Sequence, residues 1–257
     1  MLIALTRPVS DSFAECALTH QERVPIDLDR ARRQHGRYEE ALRALGVRVI
    51  RAPAANHLPD AVFIEDTALV LEELAVIVRP GAASRREEPG PVAAILSEFR
   101  LIHYLQSPAT LDGGDVLRIG RTVFVGLSSR SNEAGVRQLA SLIGHFGYDV
   151  VPVPVTGCLH LKSAASQVGE NLLLVNPRWV PAAAFGVLEH VPVADDEPGA
   201  ANALRVADAL IYPSHYPRTA GRLAERGLEI VPVPCDELAK AEGGVTCCSL
   251  LFRVPED

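Results

Sequence analysis

Two adjacent cysteines, Cys247 and Cys248, are the residues of this sequence best suited to covalent chemistry. Neighbouring Cα atoms lie about 3.8 Å apart whereas a disulfide favours about 5.5 Å, so the two thiols are not expected to bridge each other. One of them can therefore act as a free nucleophile. Gly243 and Gly244 stand just before the pair and allow the backbone to approach another group closely. The alternative is a buried apolar strand over residues 245–252, because free cysteine is commonly buried.

A second motif sets two glycines between two carboxylates, Asp112 and Asp115, directly before a predicted strand. Glycines at such a point permit a sharp turn or the close approach of a ligand. A plain turn is the simpler interpretation, and a calcium loop would need more oxygen ligands than this segment supplies. His160 opens another predicted strand after a loop. It is a candidate acid or base, although a lone histidine is more often structural.

Three further carboxylates, Asp60, Glu65 and Asp66, bracket an apolar segment. In a strand, Asp60 and Asp66 would share one face and Glu65 would lie on the other. Like charges on one face repel unless a cation lies between them, and a solvated edge strand is the alternative. Together with a thiol and a histidine, an excess of carboxylate suits nucleophilic attack on a cationic carbon, because the carboxylates bind the cation while a thiolate adds to it.

The elements that must position these groups recur along the chain. Short valine-rich segments begin at residues 47, 101, 148, 188 and 228, a spacing of 40 to 54 residues that is typical of repeat architectures. Helical apolar spacing precedes each of them, over residues 38–45, 92–99, 136–146, 181–187 and 220–226. Strand pairs are predicted between the repeats, over residues 61–71 with 74–79, 115–119 with 122–127, and 162–168 with 172–176.

These patterns predict five units of strand, strand, helix and strand, with the last strand of the chain pairing with the first, over residues 1–8. Units that cannot each bury a core would pack around a common axis like blades, so their loops would converge there. The alternative is an open α/β sheet whose helix–strand junctions resemble one another by chance. In either case no linker or low-complexity stretch interrupts the sequence, and we expect one domain over residues 1–257.

Composition narrows the class of protein. With 48% hydrophobic and 22% charged residues the chain is ordinary for a globular protein, and no apolar stretch approaches the roughly 20 residues that span a bilayer. The net charge of −7 offers no basic surface for nucleic acid but is compatible with a cationic small-molecule substrate. Five cysteines without regular spacing argue against a disulfide scaffold and for a reducing, cytoplasmic location.

Taken together, the motifs resemble those of the dimethylarginine dimethylaminohydrolases in the pentein, or guanidino-group-modifying, superfamily. The resemblance runs through nearly the whole chain, in residues 16–18, 58–66, 79–86, 111–117, 125–132, 159–163 and 246–249. Several motifs in the right order make it specific, which Asp-Gly-Gly-Asp alone would not be. It implies an α/β fold, a five-fold pseudo-symmetric pentein propeller of ββαβ units around a central active-site channel.

The resemblance also implies which residues act on the guanidinium group. Cys247 would be the nucleophile, His160 the general acid and base, and Asp112 the carboxylate that holds the guanidinium. Asp66 would bind the guanidinium as well, with Glu65 supporting the acidic cluster. Position 112 departs from the family's pattern, because other penteins often have glutamate there.

The amino-acid end of the substrate would meet a second set of residues. Arg85 and Arg130 would grip its carboxylate, for which a guanidinium fork is well shaped. Asp60 and the backbone carbonyls of Leu18 and Ala241 would receive the α-amino group.

The implied reaction is hydrolysis of asymmetric dimethylarginine or monomethylarginine to citrulline and dimethylamine or methylamine, through a covalent S-alkylthiouronium intermediate. Cys247 would face the axis as a thiolate beside the substrate cation, with Cys248 inert on the opposite face of the same strand. Residues 10–24 would cover the site as a lid. The substrate carries its own charge, so neither a metal nor another cofactor is expected, and the protein would be a monomer or homodimer.

Two alternatives stay open. An arginine deiminase would act on unmethylated arginine, but its motif at the histidine is His-x-Asp, where this chain has Lys162. A non-catalytic arginine-binding module would use the carboxylates and arginines without needing the thiol.

Overall fold

A computed structural model describes residues 1–255 of the chain. Its strands, in chain order, are β1 (Leu2–Thr6), β2 (Arg48–Arg51), β3 (Ala68–Val70), β4 (Leu74–Ile77), β5 (Leu101–Tyr104), β6 (Val116–Ile119), β7 (Thr122–Leu127), β8 (Asp149–Pro154), β9 (Ala165–Gln167), β10 (Leu172–Val175), β11 (Glu189–Pro192), β12 (Leu204–Val206), β13 (Ala209–Pro213), β14 (Glu229–Val233) and β15 (Leu250–Arg253). Its α-helices are α1 (Leu28–Ala44), α2 (Pro89–Leu96), α3 (Glu133–Ile143), α4 (Leu161–Ala164), α5 (Pro217–Ala224) and α6 (Asp236–Ala239).

The strands form five three-stranded sheets within residues 1–255, and the five share one topology. Their strand orders are β15-β1-β2, β3-β4-β5, β6-β7-β8, β9-β10-β11 and β12-β13-β14. In each sheet the first strand runs antiparallel to the middle strand, which runs parallel to the outer strand. Parallel neighbours need a crossover, which is an α-helix in four units and a 3-10 helix, Ala182–Phe185, in the fourth blade. The predicted ββαβ unit is therefore confirmed.

The five sheets surround a common axis. Residues from the first strand of every sheet, β3, β6, β9, β12 and β15, line one central cavity of about 280 Å³. β15 pairs antiparallel with β1 and places Leu5 opposite Leu250, so the last strand completes the blade that the first strand begins. The pentein propeller is confirmed, and the loops that precede the first strands are brought together at its axis.

The helices hold each blade by packing one apolar face on its sheet. In the third blade, Leu139 and Ile143 of α3 join Val123 and Val125 of β7 in one buried cluster. Asn132 caps this helix, because its side-chain oxygen accepts a backbone N–H of the first turn at 2.8 Å. Of the helices in residues 1–255, none combines the length and apolar character needed to cross a membrane.

The strands predicted over residues 61–71 and 162–168 are longer than the observed strands β3 and β9, which begin later. Residues 61–67 form turns and a 3-10 helix before β3, and residues 161–164 form α4 before β9. In these segments side chains replace the sheet as hydrogen-bond partners: Asp66 and Asp115 accept backbone N–H groups of neighbouring blades at 2.8 and 2.9 Å. The strand alternation that placed Asp60 and Asp66 on one face is therefore wrong.

The cysteine pair does not lie in a strand either. Residues 245–248 form a turn, and β15 starts only at Leu250. The turn is tied to the second blade, since the Cys247 carbonyl accepts the Glu65 N–H at 3.2 Å. The prediction that Cys248 sits on the opposite face of a shared strand is consequently wrong, although its thiol is buried.

Candidate active site

The residues able to do chemistry stand shortly before the first strand of their blade. Asp66 precedes β3, Asp112 precedes β6, and His160 precedes β9. Asn202 precedes β12 and Cys247 precedes β15. Because the first strands surround the axis, these loops meet there, and polar atoms of Asp66, Asp112 and His160 all lie within 4.8 Å of one another.

His160 lies between two carboxylates and is only 3% exposed. Its Nε2 is 3.1 Å from Asp112 Oδ2, and its Nδ1 is 3.8 Å from Asp66 Oδ1. Burial alone would lower the pKa of His160, but the charge of Asp66, the hydrogen bond with Asp112 and the charge of Asp115 raise this pKa to about 9. The imidazole is therefore protonated at neutral pH and able to act as an acid.

Backbone amides fix the two carboxylates beside this histidine. Asp112 Oδ1 and Asp66 Oδ1 each accept an N–H at 2.8 Å, the latter from Gly114. A Cβ at Gly114 would lie 2.6 Å from His160 Nδ1, so only glycine fits. Burial opposes ionisation of Asp66, yet His160 and Arg85 lower its pKa to about 2. Asp66 is therefore a carboxylate throughout the physiological range.

Cys247 is 7% exposed, and its Sγ accepts the Gly244 N–H at 3.3 Å. Burial, followed by the charges of Glu65 and Asp66, raises the pKa of this thiol to about 12. The expected thiolate is therefore not the resting form of the protein. Lys162 acts in the opposite direction, but the two carboxylates and burial outweigh it.

Asn202 holds the turn that carries Cys247, and sequence reasoning missed it. Its Oδ1 accepts the Thr246 N–H at 3.0 Å, and its Nδ2 donates to Thr246 Oγ1 at 2.9 Å. A Cβ at Gly244 would lie 2.4 Å from Asn202 Oδ1, and one at Gly243 would lie 2.1 Å from an aromatic ring. The close backbone approach predicted for the two glycines is thus confirmed. Asn202 lies shortly before the first strand of its blade, as Asp66 does, but the sequence patterns predict no strand there that could have drawn attention to it.

Glu65 and Lys162 form an ion pair beside the cysteine turn. Lys162 Nζ donates to Glu65 Oε1, and Thr246 Oγ1 donates to Glu65 Oε2 at 2.8 Å. Burial raises the pKa of Glu65, while Lys162 opposes this increase. Both residues also line the 280 Å³ axial cavity, so the pair lies between that cavity and the candidate site.

Replacing Lys162 by methionine should lower the free energy of unfolding by about 3 kcal/mol, because Glu65 would lose its only described cationic partner inside the protein. Urea unfolding at pH 7 measures this loss. The double variant Glu65→Gln, Lys162→Met carries no buried charge there and should recover most of it. A single variant as stable as the unmodified protein would show that the ion pair does not matter for stability.

The two arginines expected at the substrate carboxylate differ in their surroundings. Arg85 Nη1 donates to Asp66 Oδ2 at 2.6 Å, its Nε and Nη2 donate to Glu88, and Nη2 also reaches two backbone carbonyls. Arg130 is 7% exposed, and its Nη1 lies 3.5 Å from Asp112 but makes no hydrogen bond within residues 1–255. Arg130 therefore has a donor available for an incoming anion, whereas Arg85 is largely occupied.

The groups expected at the α-amino end lie in or against residues 10–24, the segment expected to form a lid. Asp60 is 6% exposed and accepts the Ala17 N–H at 3.1 and 3.2 Å. Burial raises the pKa of Asp60, although Arg85 opposes this increase. The backbone carbonyls of Leu18 and Ala241 accept no hydrogen bond in the described part of the chain. Both carbonyls are therefore available to a donor such as an ammonium group.

Asp115 organises the segment that follows His160, a role that sequence reasoning did not assign. Its carboxylate accepts hydrogen bonds from the hydroxyls of Ser128 and Ser131, both at 2.6 Å, and from the Leu161 N–H at 2.9 Å. Burial raises the pKa of Asp115 to about 6 against these stabilising contacts. It is therefore ionised at neutral pH and adds to the negative field around His160.

Asp66, Asp112 and His160 also have the composition of a metal site. A metal ligand must be an unprotonated imidazole, however, and the two carboxylates favour the protonated ring. Asp66 is further neutralised by Arg85. This donor set therefore suits a bound proton better than a divalent cation.

Comparison with known proteins places this site in context. Residues 10–184 match the family model described as N,N dimethylarginine dimethylhydrolase, eukaryotic. The N(G),N(G)-dimethylarginine dimethylaminohydrolase of Streptomyces coelicolor is 37% identical over 97% of this chain and 96% of its own length. The protein of the same name from Pseudomonas aeruginosa is 32% identical over 88% of this chain and 90% of its own length. A solved structure of the Pseudomonas aeruginosa enzyme, a cysteine-to-serine variant complexed with citrulline, superposes with a TM-score of 0.93 and 30% identity, over 97% of this chain and 98% of that one.

Proposed function

Because this chain belongs to the dimethylarginine dimethylaminohydrolase family, whose members are hydrolases of C–N bonds, we propose that it converts asymmetric dimethylarginine and monomethylarginine to citrulline and the corresponding amine. The observation that carries this proposal is a protonated His160 held between Asp66 and Asp112. The charge of Asp66 acts on both His160 and Cys247. Such a site combines an acid, a nucleophile and negative charge for a cation.

The substrate itself would complete the nucleophile. Burial, followed by the charges of Glu65 and Asp66, which repel a thiolate, keeps Cys247 as a thiol in the empty site. A guanidinium bound between the carboxylates and the sulfur neutralises that repulsion and lowers the thiol pKa. Ionisation would therefore be coupled to binding, so the buried thiol is unreactive until the cation arrives.

The reaction would then run in two halves. The Cys247 thiolate adds to the guanidinium carbon, and the His160 imidazolium donates its proton to the nitrogen that leaves as dimethylamine or methylamine. This C–N cleavage leaves an S-alkylthiouronium on Cys247 and a neutral imidazole. His160 then takes one proton from water as the oxygen attacks, and the C–S bond breaks as the remaining hydroxyl proton passes to the departing sulfur. Citrulline leaves, and the resting thiol and imidazolium are restored. Asp112 and Asp66 stabilise the imidazolium at each end of the cycle.

The amino-acid end of the substrate would be recognised by the groups that have free capacity. Arg130 would bind the carboxylate with its Nη1, which makes no hydrogen bond in the described residues, and Arg85 would contribute only by loosening its contacts with Asp66 and Glu88. Asp60 and the Leu18 and Ala241 carbonyls would receive the α-amino group.

One observation favours the methylated substrate over arginine. Lys162 stands where arginine deiminases have an aspartate, and its ammonium pairs with Glu65. The second carboxylate that would bind an unmethylated guanidinium is thus replaced by the ammonium group of Lys162. We therefore place arginine deiminase second and a binding module third.

A substrate panel tests the proposal directly. Purified protein is incubated separately with asymmetric dimethylarginine, monomethylarginine and arginine, and citrulline and the released amine are quantified. We expect kcat/KM for the methylated substrates to exceed that for arginine by at least about tenfold. Faster turnover of arginine would favour the deiminase, and affinity without any product would favour the binding module.

A further inference from the structure

Glu242 gathers three consecutive backbone amides of the lid segment. Its Oε2 accepts the Thr19 N–H at 2.9 Å, and its Oε1 accepts the N–H groups of His20 and Gln21, the latter at 2.7 Å. Residues 19–25 are exposed and lie outside the helices and strands, so no sheet or helix holds them. No lysine, arginine or histidine forms an ion pair with Glu242 within residues 1–255. The negative charge of this carboxylate is therefore stabilised by the dipoles of three backbone N–H groups.

The two ends of this contact adjoin the groups proposed to bind the amino-acid end of the substrate. Leu18 precedes Thr19 and Ala241 precedes Glu242, so both available carbonyls stand one residue from the contact. Thr19 Oγ1 also accepts a hydrogen bond from Arg130 Nη2 at 3.4 Å. One carboxylate thus fixes the spacing of the two carbonyls and orients a partner of the arginine.

The backbone of Glu242 is itself strained. Its φ is +60°, a left-handed conformation that residues other than glycine seldom adopt. The chain then continues through Gly243 to Gly244, whose N–H contacts Cys247 Sγ. A cavity of about 450 Å³ is lined by His20, Gln21 and Glu242 together with these glycines, so the contact lies at the wall of a cavity.

We propose that Glu242 is a positioning residue that latches lid residues 19–21. It thereby positions the groups that bind the α-amino and carboxylate groups of the substrate. This inference rests on the proposed function for its kinetic consequence, but the latch itself does not. Without it, the Leu18 carbonyl and the Thr19 hydroxyl would lose their fixed positions, while Cys247, His160, Asp66 and Asp112 would keep theirs. The loss would therefore weaken substrate binding more than it slows the chemical steps.

The test uses three variants of the full chain: Glu242→Ala, Glu242→Gln and Glu242→Gly. Hydrogen exchange followed by mass spectrometry should show the amides of Thr19, His20 and Gln21 exchanging about tenfold faster or more in the alanine and glycine variants, with a smaller increase in the glutamine variant. KM for asymmetric dimethylarginine should rise about tenfold in the alanine variant, with kcat changed less than about threefold.

The glycine variant separates the latch from backbone strain. Glycine adopts a positive φ freely, so a role confined to that conformation would leave Glu242→Gly like the unmodified protein. That result, or unchanged exchange of the three amides in Glu242→Ala, would overturn the proposal. So would a fall in kcat at unchanged KM, since that would place Glu242 in the chemical steps. If no methylated arginine is turned over at all, the proposed function fails, and the exchange measurement still decides the latch.

Discussion

Replacing Cys247 by serine is expected to reduce citrulline formation by about four orders of magnitude or more, whereas Cys248→Ser should retain activity within about threefold. The sulfur of Cys247 receives the Gly244 N–H and lies in the field of Glu65 and Asp66. Serine has the same shape, but its alcohol ionises far less readily beside a guanidinium than a thiol does. Cys248 is 1% exposed, and its Sγ donates to the Gly244 carbonyl at 3.5 Å, a contact that a serine hydroxyl can preserve.

Each variant serves as the control for the other, because the two residues are adjacent and both changes replace a cysteine by a serine. Steady-state citrulline production measures the effect, and circular dichroism with thermal unfolding establishes that both variants fold. Mass spectrometry of quenched reactions should find a substrate-derived adduct on the unmodified protein and on Cys248→Ser only. An inactive, folded Cys248→Ser beside an active Cys247→Ser would assign the nucleophile to the other sulfur.

Replacing His160 by asparagine is expected to lower kcat/KM by about two to four orders of magnitude, because the departing amine loses its proton donor. The pH dependence provides a second readout. Cys247 and His160 titrate as a pair, with pKa values of about 12 and about 9. The resting pair, a thiol and an imidazolium, must therefore lose one proton to reach the reactive pair, a thiolate and an imidazolium. We therefore expect kcat/KM of the unmodified protein to rise with pH up to about 9 and then to level off, whereas kcat/KM of His160→Asn should go on rising above pH 9, because only the Cys247 thiol then has to ionise.

His57→Asn is the matched control, since the His57 side chain is 73% exposed and its nearest ionic partner, Glu87, is also on the surface. It should leave both the rate and the pH profile unchanged. A kcat/KM profile for the unmodified protein that falls between pH 7 and 9 would contradict the assignment, because it would mean that the protonated histidine is lost before the nucleophile forms. Activity of His160→Asn within threefold of the unmodified protein would do so as well.

The repeated blade was predictable because its signals are local. Valine-rich segments, helical spacing and turn glycines depend on neighbours a few residues away, and they located all five outer strands and four of the crossover helices. The same signals failed at residues 61–67 and 245–248, which look apolar enough for strands. There the backbone bonds to side chains and loops of other blades, such as the Cys247 carbonyl with the Glu65 N–H, and no local pattern reports such contacts.

The sequence by itself determined the propeller, its family and the residue types that surround a guanidinium, because each of these follows from motifs contiguous in the chain. Tertiary structure alone decided their state. It paired Arg85 with Asp66 and Glu88, left Arg130 Nη1 beside Asp112 but without a hydrogen bond in the described residues, and kept Cys247 as a thiol. Charge and burial depend on atoms that meet across the axis from positions far apart in the chain. Asn202 and Glu242 emerged for the same reason, since each acts through contacts with distant segments that only the closed ring of blades creates.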